Sequence, residues 1–433
     1  MIRIFYNILM IVLSPVWLVW MVYRTRKRQQ QPNWSERWGN YSISPDDTRK
    51  RIWLHAVSVG EVMAAKPILK ELRALLPDVR IVVTCTTSTG YGVARSLLGM
   101  EADYLFYFPL DLPSACKRAM ASVSPSVVVI METELWLNFV WAAKKFLAKV
   151  CIANGRMSEK SFRKASRISF YYRSVFSYID ACFVQTEGDA ERFSKLGGKN
   201  IRVLGNSKYD EASRIETKRD WRKEIHLSPS ERWIVVGSVR GEYEEDFVLE
   251  ALRGIEARIL FAPRHIERAE EILNKAQKMG FRTGRRSRGE NEAQFLVLDT
   301  FGELASTYWQ ADLAIIGGGF DKLGGQNIIQ PMAAGCPVVC GPHMDNFREA
   351  FEEGMEAGAL KVAHTSRELR EIVETLLDDA KLREDMGSQG KALVERHRNA
   401  AKRYALAIAE LVSVYHKEIE PNYPTVGASK DAG

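Results

Sequence analysis

Glu61 lies where a strand turns into a helix, a position from which a carboxylate could accept a proton from a substrate hydroxyl. The run 51–59 is β-branched, aromatic and apolar, which predicts a buried strand. Gly60 allows a sharp turn, and residues 62–76 then carry apolar side chains at helical spacing. Ligands of open α/β sheets bind outside the carboxyl ends of the strands, where Glu61 is expected. The alternative is that Glu61 only complements the helix dipole.

A pair of carboxylates, Glu132 and Glu134, follows the β-branched run 127–131. Side chains two residues apart on an extended segment face the same side. A carboxylate at this position could balance an oxocarbenium-like centre or orient a cationic neighbour. The alternative is that both carboxylates cap the helix predicted at 136–146 and pair with basic side chains.

Three segments in the second half of the chain have residue types that bind phosphates or nucleotides. Arg264 ends a predicted strand, so its guanidinium is expected to reach a ligand at the edge of the sheet and hold a phosphate. Residues 301–303 open a predicted helix whose free N–H groups suit an anion or a base edge. The glycines of 317–325 would let backbone amides approach a phosphate or sugar, although their spacing matches neither the dinucleotide nor the P-loop pattern.

These side chains can lie close together only if the carboxyl ends of their strands meet at one edge of a sheet, and the remaining sequence predicts such a sheet. Strand and helix signals alternate from about residue 50, which is typical of a largely parallel sheet with helices on both faces. The predicted strands are 51–59, 80–85, 126–131, 149–153, 181–185 and 200–204, then 233–237, 258–262, 295–298, 313–316 and 337–340. The predicted helices are 62–76, 90–99, 112–122, 136–146, 161–178 and 188–196, with a long helical region at 366–417.

The two series of strands predict two α/β, Rossmann-like, doubly wound domains that face a central cleft, one for a nucleotide-linked donor and one for an acceptor. The first domain is predicted at 29–205 and the second at 231–420. Residues 206–230 are polar, without a strand signal, and are interpreted as a linker. Residues 421–433 are polar and rich in Gly, Pro and Ser, which predicts a disordered tail.

Composition limits the function classes. The chain has 433 residues, 46% hydrophobic and 27% charged, which is typical of two or three folded domains. Its net charge of +7 permits attraction to anionic membrane surfaces or phosphorylated ligands but argues against nucleic-acid binding. Six cysteines are scattered without a CxxC pair, so we expect reduced core residues in a cytoplasmic protein, with neither a zinc site nor disulfides.

The N-terminus, residues 1–28, is predicted to be a membrane anchor. Residues 4–23 are predominantly apolar and long enough to span a bilayer, with Trp17, Trp20 and Tyr23 as an aromatic belt. The basic residues within 24–28 predict that the following domains face the cytoplasm. A helix lying in the membrane interface is the alternative.

Six motifs in this order resemble those of the bacterial Kdo (3-deoxy-D-manno-octulosonic acid) transferases, and the resemblance covers nearly the whole chain. The motifs are His55-Ala-Val-Ser-Val-Gly-Glu61, Met131-Glu-Thr-Glu-Leu-Trp136, Asn154-Gly-Arg-Met-Ser158, Pro263-Arg-His265, Asp299-Thr-Phe-Gly-Glu303 and Gly341-Pro-His343. The resemblance implies a GT-B fold and inverting transfer of Kdo from CMP-Kdo to a lipid A precursor (lipid IVA) at the cytoplasmic face of the inner membrane. It implies no cofactor and no metal.

The resemblance also implies residue roles. Glu61 is the expected general base, while Glu132 and Lys208 are expected to stabilise the charges that develop during transfer. The first domain is then the acceptor-binding domain and the second binds the donor. The residues expected to bind CMP-Kdo are Pro263, Arg264, Phe301, Gly302, Glu303, Asn327, Ile328, Ile329 and Gln330.

The chain departs from the family at Gln330, where glutamate is usual, and at Gln326, where histidine is usual; the loop 238–245 also looks shifted. A glutamate would make charge-assisted hydrogen bonds to the ribose, so glutamine predicts an affinity for CMP lower by about tenfold. Two other functions therefore remain open: another GT-B transferase or an epimerase, or a non-catalytic sugar-binding relic.

Basic residues are candidates for contacts with acceptor phosphates. They are Arg156, Lys160, Arg163 and Lys164, which follow a strand end in the acceptor domain. A second basic cluster, within 282–288, is interpreted as a solvated surface loop.

Overall fold

The structure of the chain is a computed structural model. It describes residues 2–10, 12, 33–44, 47–213 and 219–418. The chain divides into two compact units, the first formed by residues up to Asp210 together with those from Asn399 onward, and the second by Glu211–Arg398.

The first unit is built on a sheet of parallel strands, in the order β3-β2-β1-β4-β5-β6-β7 across its described residues. The strands are β1 (Arg51–Ala56), β2 (Arg80–Cys85), β3 (Tyr104–Tyr107), β4 (Val127–Met131), β5 (Lys149–Gly155), β6 (Ala181–Val184) and β7 (Ile201–Val203). Because chain order reverses between β1 and β4, their carboxyl ends form the switch point at which α/β sheets bind ligands.

Helices cover both faces of this sheet. They span Trp34–Arg37, Val59–Leu75, Ser88–Leu97, Pro113–Val123, Leu137–Lys145, Glu159–Arg167, Ser169–Phe176, Glu187–Lys195, Lys208–Ser213 and Ala400–Glu418, and residues 2–10 are also helical. Alternate strand residues enter different cores: Trp53 packs in one hydrophobic cluster, whereas Ile52 and Leu54 pack in the other. Burial on both faces explains the continuous apolar runs in the sequence.

The second unit has a parallel sheet of the same kind, with strand order β10-β11-β9-β8-β12-β13-β14 among the residues that are described. Its strands are β8 (Trp233–Val239), β9 (Arg258–Pro263), β10 (Thr283–Arg285), β11 (Phe295–Val297), β12 (Leu313–Ile316), β13 (Val338–Cys340) and β14 (Leu360–Val362). Its α-helices are Trp221–Glu224, Glu242–Leu252, Ala269–Lys278, Leu304–Thr307, Ile329–Ala334, Arg348–Glu356, Ser366–Asp378 and Ala380–His397, and 3₁₀ turns span Ile266–Arg268, Arg286–Arg288 and Asp345–Phe347.

The final helix corrects the predicted domain assignment. The sequence predicts a single domain over 231–420, but Ala400–Glu418 belongs to the first unit, where it packs against the helix Val59–Leu75. The buried Tyr404 hydroxyl donates to the carbonyl oxygens of Val184 (3.2 Å) and Gly205 (2.7 Å). Helical periodicity predicts an apolar face but cannot say which sheet covers it. The division at Asp210 lies within the predicted linker 206–230, whose described residues contain the helices Lys208–Ser213 and Trp221–Glu224 and no strand.

Other differences are local. The edge strands β3, β10 and β14 were missed because they are short, with three or four residues each. The helix predicted at 161–178 is two helices, Glu159–Arg167 and Ser169–Phe176. As predicted, the six cysteines are free and buried.

Most of the predicted anchor, and all of the predicted tail 421–433, lie outside the described residues. Where the structure is described, none of its helices combines the length and apolarity needed to cross a bilayer.

Candidate active site

Ser58 and Glu61 form a reciprocal cap at the start of the helix Val59–Leu75. The Ser58 hydroxyl oxygen accepts from the Glu61 N–H (3.4 Å) and its O–H donates to Glu61 Oε1 (3.1 Å). Val57 N–H donates to Glu61 Oε2 (2.8 Å). β1 therefore ends at Ala56 rather than at residue 59, because Ser58 caps the helix that follows. The carboxylate both caps the helix and lies at the switch point of the sheet.

The environment of Glu61 suits a proton acceptor. Its side chain is buried, with the residue only 5% exposed. Burial raises the pKa of Glu61 to about 8, and the nearby charge of Glu132 adds to this effect. A base is most effective when its pKa lies near the working pH, so the site favours general base chemistry.

Glu132 lies beside Glu61 and is held by two cations. Glu132 Oε2 is 2.8 Å from Arg156 Nε, and its Oε1 is 3.5 Å from Lys208 Nζ. The expectation of an extended segment here is wrong, because Glu132 has a left-handed φ of 54°. Glu134 is half-buried, and burial, followed by the charge of Glu132, raises its pKa. Arg156, expected to face acceptor phosphates, is instead paired inside this cluster.

Lys208 joins the cluster from the first turn of the helix Lys208–Ser213, with a side chain that is 12% exposed. Ser207 fixes this turn by donating from its N–H to Asn154 Oδ1 (3.1 Å) and from its hydroxyl to the Ala64 carbonyl (2.8 Å). Burial lowers the pKa of Lys208, although the carboxylate of Glu132 opposes this. The structure thus brings Glu61, Glu132 and Lys208 together at one sheet edge.

The described residues contain no group of three or more His, Cys, Asp or Glu side chains arranged to hold a metal ion. His55 is a core residue: it stacks on Phe108 at 3.7 Å, and burial lowers its pKa to about 3. The absence of a metal from the reaction stays a prediction.

In the second unit, the segment 263–264 lies at the carboxyl end of β9. Pro263 is buried as the last strand residue, whereas Arg264 is exposed and its N–H donates to the Val239 carbonyl (2.8 Å). The exposed guanidinium of Arg264 is compatible with the expected phosphate contact.

Glu303 lies within an ion-pair network. Its carboxylate is 2.6 Å from Arg219 Nη1 and 3.4 Å from Arg286 Nη2. Although burial opposes it, hydrogen bonds from Thr300 and these arginines lower the pKa of Glu303. Phe301 is 82% exposed, and the helix that follows Glu303 has only four residues. Glu303 and Arg286 are therefore structural partners, which corrects the interpretation of the basic cluster as simply solvated.

The buried Glu244 holds the glycine-rich loop. Its Oε2 accepts from Gly318 N (2.6 Å) and Arg240 N (3.0 Å), and its Oε1 accepts from Phe320 N (2.9 Å) and Asp321 N (3.2 Å). The expectation that these loop amides are available to a phosphate is wrong, because a carboxylate of the protein already occupies them. The glycine pattern gave no indication of this carboxylate, although Glu244 stands four residues before Val248, on the apolar face of its helix.

Replacement of Glu244 by glutamine should disorder the glycine-rich loop, because an amide offers one acceptor oxygen and places an NH₂ group against N–H donors. Because the resemblance implies that the second unit binds CMP, we expect the Kd for CMP to rise by about tenfold or more, measured by calorimetry. Asp312→Asn is the matched control: Asp312 also accepts a backbone N–H, from Trp233 (2.9 Å), but at the amino edge of the sheet. Equal weakening of CMP binding by Glu244→Gln and Asp312→Asn would contradict an effect that is specific to the glycine-rich loop.

The segment 327–330 enters the helix Ile329–Ala334. Asn327 Oδ1 accepts from the N–H groups of Ile329 (2.9 Å) and Gln330 (3.4 Å). Ile328 and Ile329 are buried, so they can offer a ligand only their backbone, whereas Gln330 is half-buried.

Comparison with known proteins gives the family. Residues 32–211 match the model of the 3-deoxy-D-manno-octulosonic acid transferase domain, and residues 324–409 match one described as glycosyl transferase-like. The 3-deoxy-D-manno-octulosonic acid transferase of Chlamydia muridarum is 32% identical, over 84% of this chain and 86% of its own length. The chain belongs to the Kdo transferase family. The Haemophilus influenzae member is 31% identical over 93% of this chain and 96% of its own.

Solved structures of other proteins agree with a glycosyltransferase fold of two α/β domains. MurG of Acinetobacter baumannii superimposes with a TM-score of 0.55 at 14% identity, covering 83% of this chain and 99% of that one. A Listeria monocytogenes structure described as a UDP-N-acetylglucosamine 2-epimerase has a TM-score of 0.54 at 15% identity, covering 88% and 100%. These similarities concern the fold alone, and membership of the Kdo transferase family argues against the epimerase alternative.

Proposed function

We propose that this member of the Kdo transferase family is an inverting enzyme that moves Kdo from CMP-Kdo to a hydroxyl of a lipid A precursor. The observation that carries the proposal is the buried cluster of Glu61, Glu132 and Lys208 at the switch point of the first sheet. Its support from relatives is the similarity to curated Kdo transferases over most of the chain.

In the proposed reaction, Glu61 takes the proton of the acceptor hydroxyl as that oxygen bonds to the anomeric carbon of Kdo. The bond from this carbon to the phosphate oxygen breaks on the opposite face, and CMP leaves with the electron pair. Glu132 stabilises positive charge on the sugar ring, and Lys208 both holds Glu132 and offers a cation to the departing phosphate. No step requires a cofactor or a metal.

The donor is assigned to the second unit. Arg264 would pair with the phosphate, residues 301–303 and 327–329 would offer the nucleotide those backbone groups that Asn327 Oδ1 does not already occupy, and the Gln330 side chain would contact the ribose. The amides of Gly318, Phe320 and Asp321 are bonded to Glu244, so they are not assigned to the phosphate; the glycine-rich loop instead positions the segment 327–330, which follows it in the chain.

We also propose attachment to the cytoplasmic face of the inner membrane through the N-terminus. Helix 2–10 is fastened to the first unit by Tyr6, whose hydroxyl donates to Asp111 Oδ2 (2.7 Å), and by Arg3, whose Nε donates to Asn138 Oδ1 (3.3 Å). Several exposed apolar side chains support contact with lipid: Ile4, Phe5, Ile8, Leu9 and Val12. Lys160, Arg163 and Lys164 are exposed and stay candidates for contacts with acceptor phosphates.

The test is transfer from CMP-Kdo to tetraacylated lipid A precursor by the detergent-solubilised protein, followed by mass spectrometry. A product with added Kdo supports the proposal. Binding of CMP without product would indicate a different sugar or acceptor, and absence of both would favour the relic.

Gln330→Glu should tighten CMP binding by about tenfold, because a carboxylate accepts charge-assisted hydrogen bonds from the ribose hydroxyls. Calorimetric titration of both proteins with CMP measures this change. Gln277→Glu, at an exposed position on the helix Ala269–Lys278, controls for added negative charge. Unchanged or weaker binding by Gln330→Glu would contradict a ribose contact.

A further inference from the structure

Arg37 is a half-buried arginine at the ends of β2 and β3. Its Nη2 donates to the carbonyl of Thr86 (2.7 Å), the residue after β2, and its guanidinium carbon lies 4.8 Å from the centre of the Tyr107 ring. Its Nε is buried without a hydrogen-bond partner. The buried Nε cannot reach a ligand, but Nη1 has no hydrogen bond to any described residue and is not buried, so Nη1 and the second N–H of Nη2 are available to one.

The charge of Arg37 is not neutralised by an ion pair with any residue that the structure describes. Burial lowers its pKa, yet a guanidinium stays protonated at physiological pH. The neighbouring Glu36 interacts electrostatically with the Arg37 guanidinium, but its carboxylate oxygens accept hydrogen bonds from Tyr107 N (2.7 Å) and Asn33 Nδ2 (2.6 Å). A partly buried cation without a paired anion is costly, which points to an anionic ligand.

The guanidinium lies at the same sheet edge as the proposed base. Thr87, next to Thr86, donates from its hydroxyl to the Val57 carbonyl (3.0 Å), and Val57 N–H donates to Glu61 (2.8 Å). β2 neighbours β1 in the sheet, and adjacent strands are about 5 Å apart. A ligand on Arg37 would therefore lie within the span of a saccharide from Glu61.

Aromatic side chains complete the surroundings of Arg37. Tyr107, under the guanidinium, stacks on Tyr91 with ring centres 4.4 Å apart and planes inclined by 10°. Tyr91 lies on the helix Ser88–Leu97 and is only partly buried. Aromatic faces suit sugar rings, and a guanidinium fork suits a phosphate.

We propose that Arg37 binds a phosphate group of the acceptor saccharide. This inference rests on the proposed function and adds a subsite to it. Arg37 belongs to the unit that contains Glu61, whereas the donor phosphate is assigned to Arg264 of the other unit, so the acceptor is the source of the anion. A two-pronged contact from Arg37 orients the phosphate and with it the attacking hydroxyl.

The test compares the native protein with Arg37→Gln and Arg37→Lys on acceptors that carry two, one or no phosphates. Removal of the phosphate that binds Arg37 should raise the KM of the native protein for the acceptor by about tenfold. The same removal should leave the KM of Arg37→Gln for the acceptor unchanged. Arg37→Lys should recover part of the loss, because it restores the charge without the fork. Arg118→Gln is the control, since Arg118 Nε likewise donates to a carbonyl, that of Trp38 (2.9 Å), but is exposed.

A uniform rise in KM for all three acceptors would overturn the proposal, and a rise in the KM of CMP-Kdo alone would indicate the donor carboxylate instead. A second measurement does not need transfer: the deacylated glucosamine disaccharide bisphosphate should raise the unfolding temperature of the native protein but not of Arg37→Gln. If the native protein is stabilised yet transfers nothing, the proposed function fails and this subsite stands. If it transfers Kdo but is not stabilised, the subsite fails alone.

Discussion

Glu61→Gln should lower kcat by about 10²–10⁴-fold, the usual contribution of a general base. The amide can still accept from Val57 N–H and bond to Ser58, so the helix cap is kept while the basic group is lost. Steady-state transfer assays measure the effect. A variant that retains more than about a tenth of native activity would contradict the role of Glu61 as base.

The pH dependence of the native enzyme should report the same group. Because the base must be ionised, and burial raises its pKa to about 8, kcat/KM should rise with pH and level off above about pH 8. If Glu61 is responsible for the rise of kcat/KM with pH, the residual activity of Glu61→Gln should not show that rise.

Stability separates loss of chemistry from misfolding in this variant. The pKa of Glu61 is raised from 4.5 to about 8, so the folded protein keeps a proton there that the unfolded chain releases. The resulting stabilisation is complete below pH 4.5 and is lost as the pH rises through about 8. Glu61→Gln should therefore gain stability relative to the native protein from pH 5 to 8, by at least about 1.4 kcal/mol. Thermal unfolding at several pH values measures this gain.

Lys208→Met should lower kcat by about 10²–10³-fold, because it removes a cation that lies beside Glu132 and that we propose stabilises the departing phosphate. The side chain is largely buried and methionine keeps its length, so folding should be preserved. The double variant with Glu132→Gln should lose less than the product of the two single losses, because the two residues act together.

Lys144→Met is the matched control for Lys208. Lys144 Nζ pairs with Asp180 at 2.9 Å, just before β6 and thus at the amino edge of the same sheet. It should leave kcat within about twofold of the native value. Activity of Lys208→Met within threefold of native, or equal losses in both lysine variants, would contradict a role for Lys208 in the transfer step.

The turn at Glu61 was predictable because its determinants are neighbours in the chain. A β-branched apolar run, a capping serine and a glycine lie within a few residues of one another, and local propensity decides such a turn. The alternation of strands and helices was predictable for the same reason: strands buried on both faces of a parallel sheet leave continuous apolar runs. The motifs that indicated the Kdo transferase family lie at the carboxyl ends of such strands, as Glu61 and Pro263 illustrate.

Charge pairing was decided by the tertiary structure. Glu132 and Lys208 are 76 residues apart in the chain, and Glu244 is 74 residues from Gly318. In a chain rich in lysine and arginine, a buried carboxylate has several possible cationic partners. Which of them lies close enough to pair is determined only by how the strands pack. For this reason Arg156 turned inward to Glu132, and Glu244 occupied amides that the glycine pattern assigned to a phosphate.

The sequence by itself determined the class of fold, the family and the strand-to-helix turn that carries Glu61, since these depend on local periodicity and short motifs. Only the tertiary structure decided that the helix Ala400–Glu418 returns to the first unit and that Arg37 has no paired anion among the described residues. The physical reason is that periodicity records which face of an element is buried, whereas partners are selected by long-range packing and by the cost of leaving a buried charge unpaired.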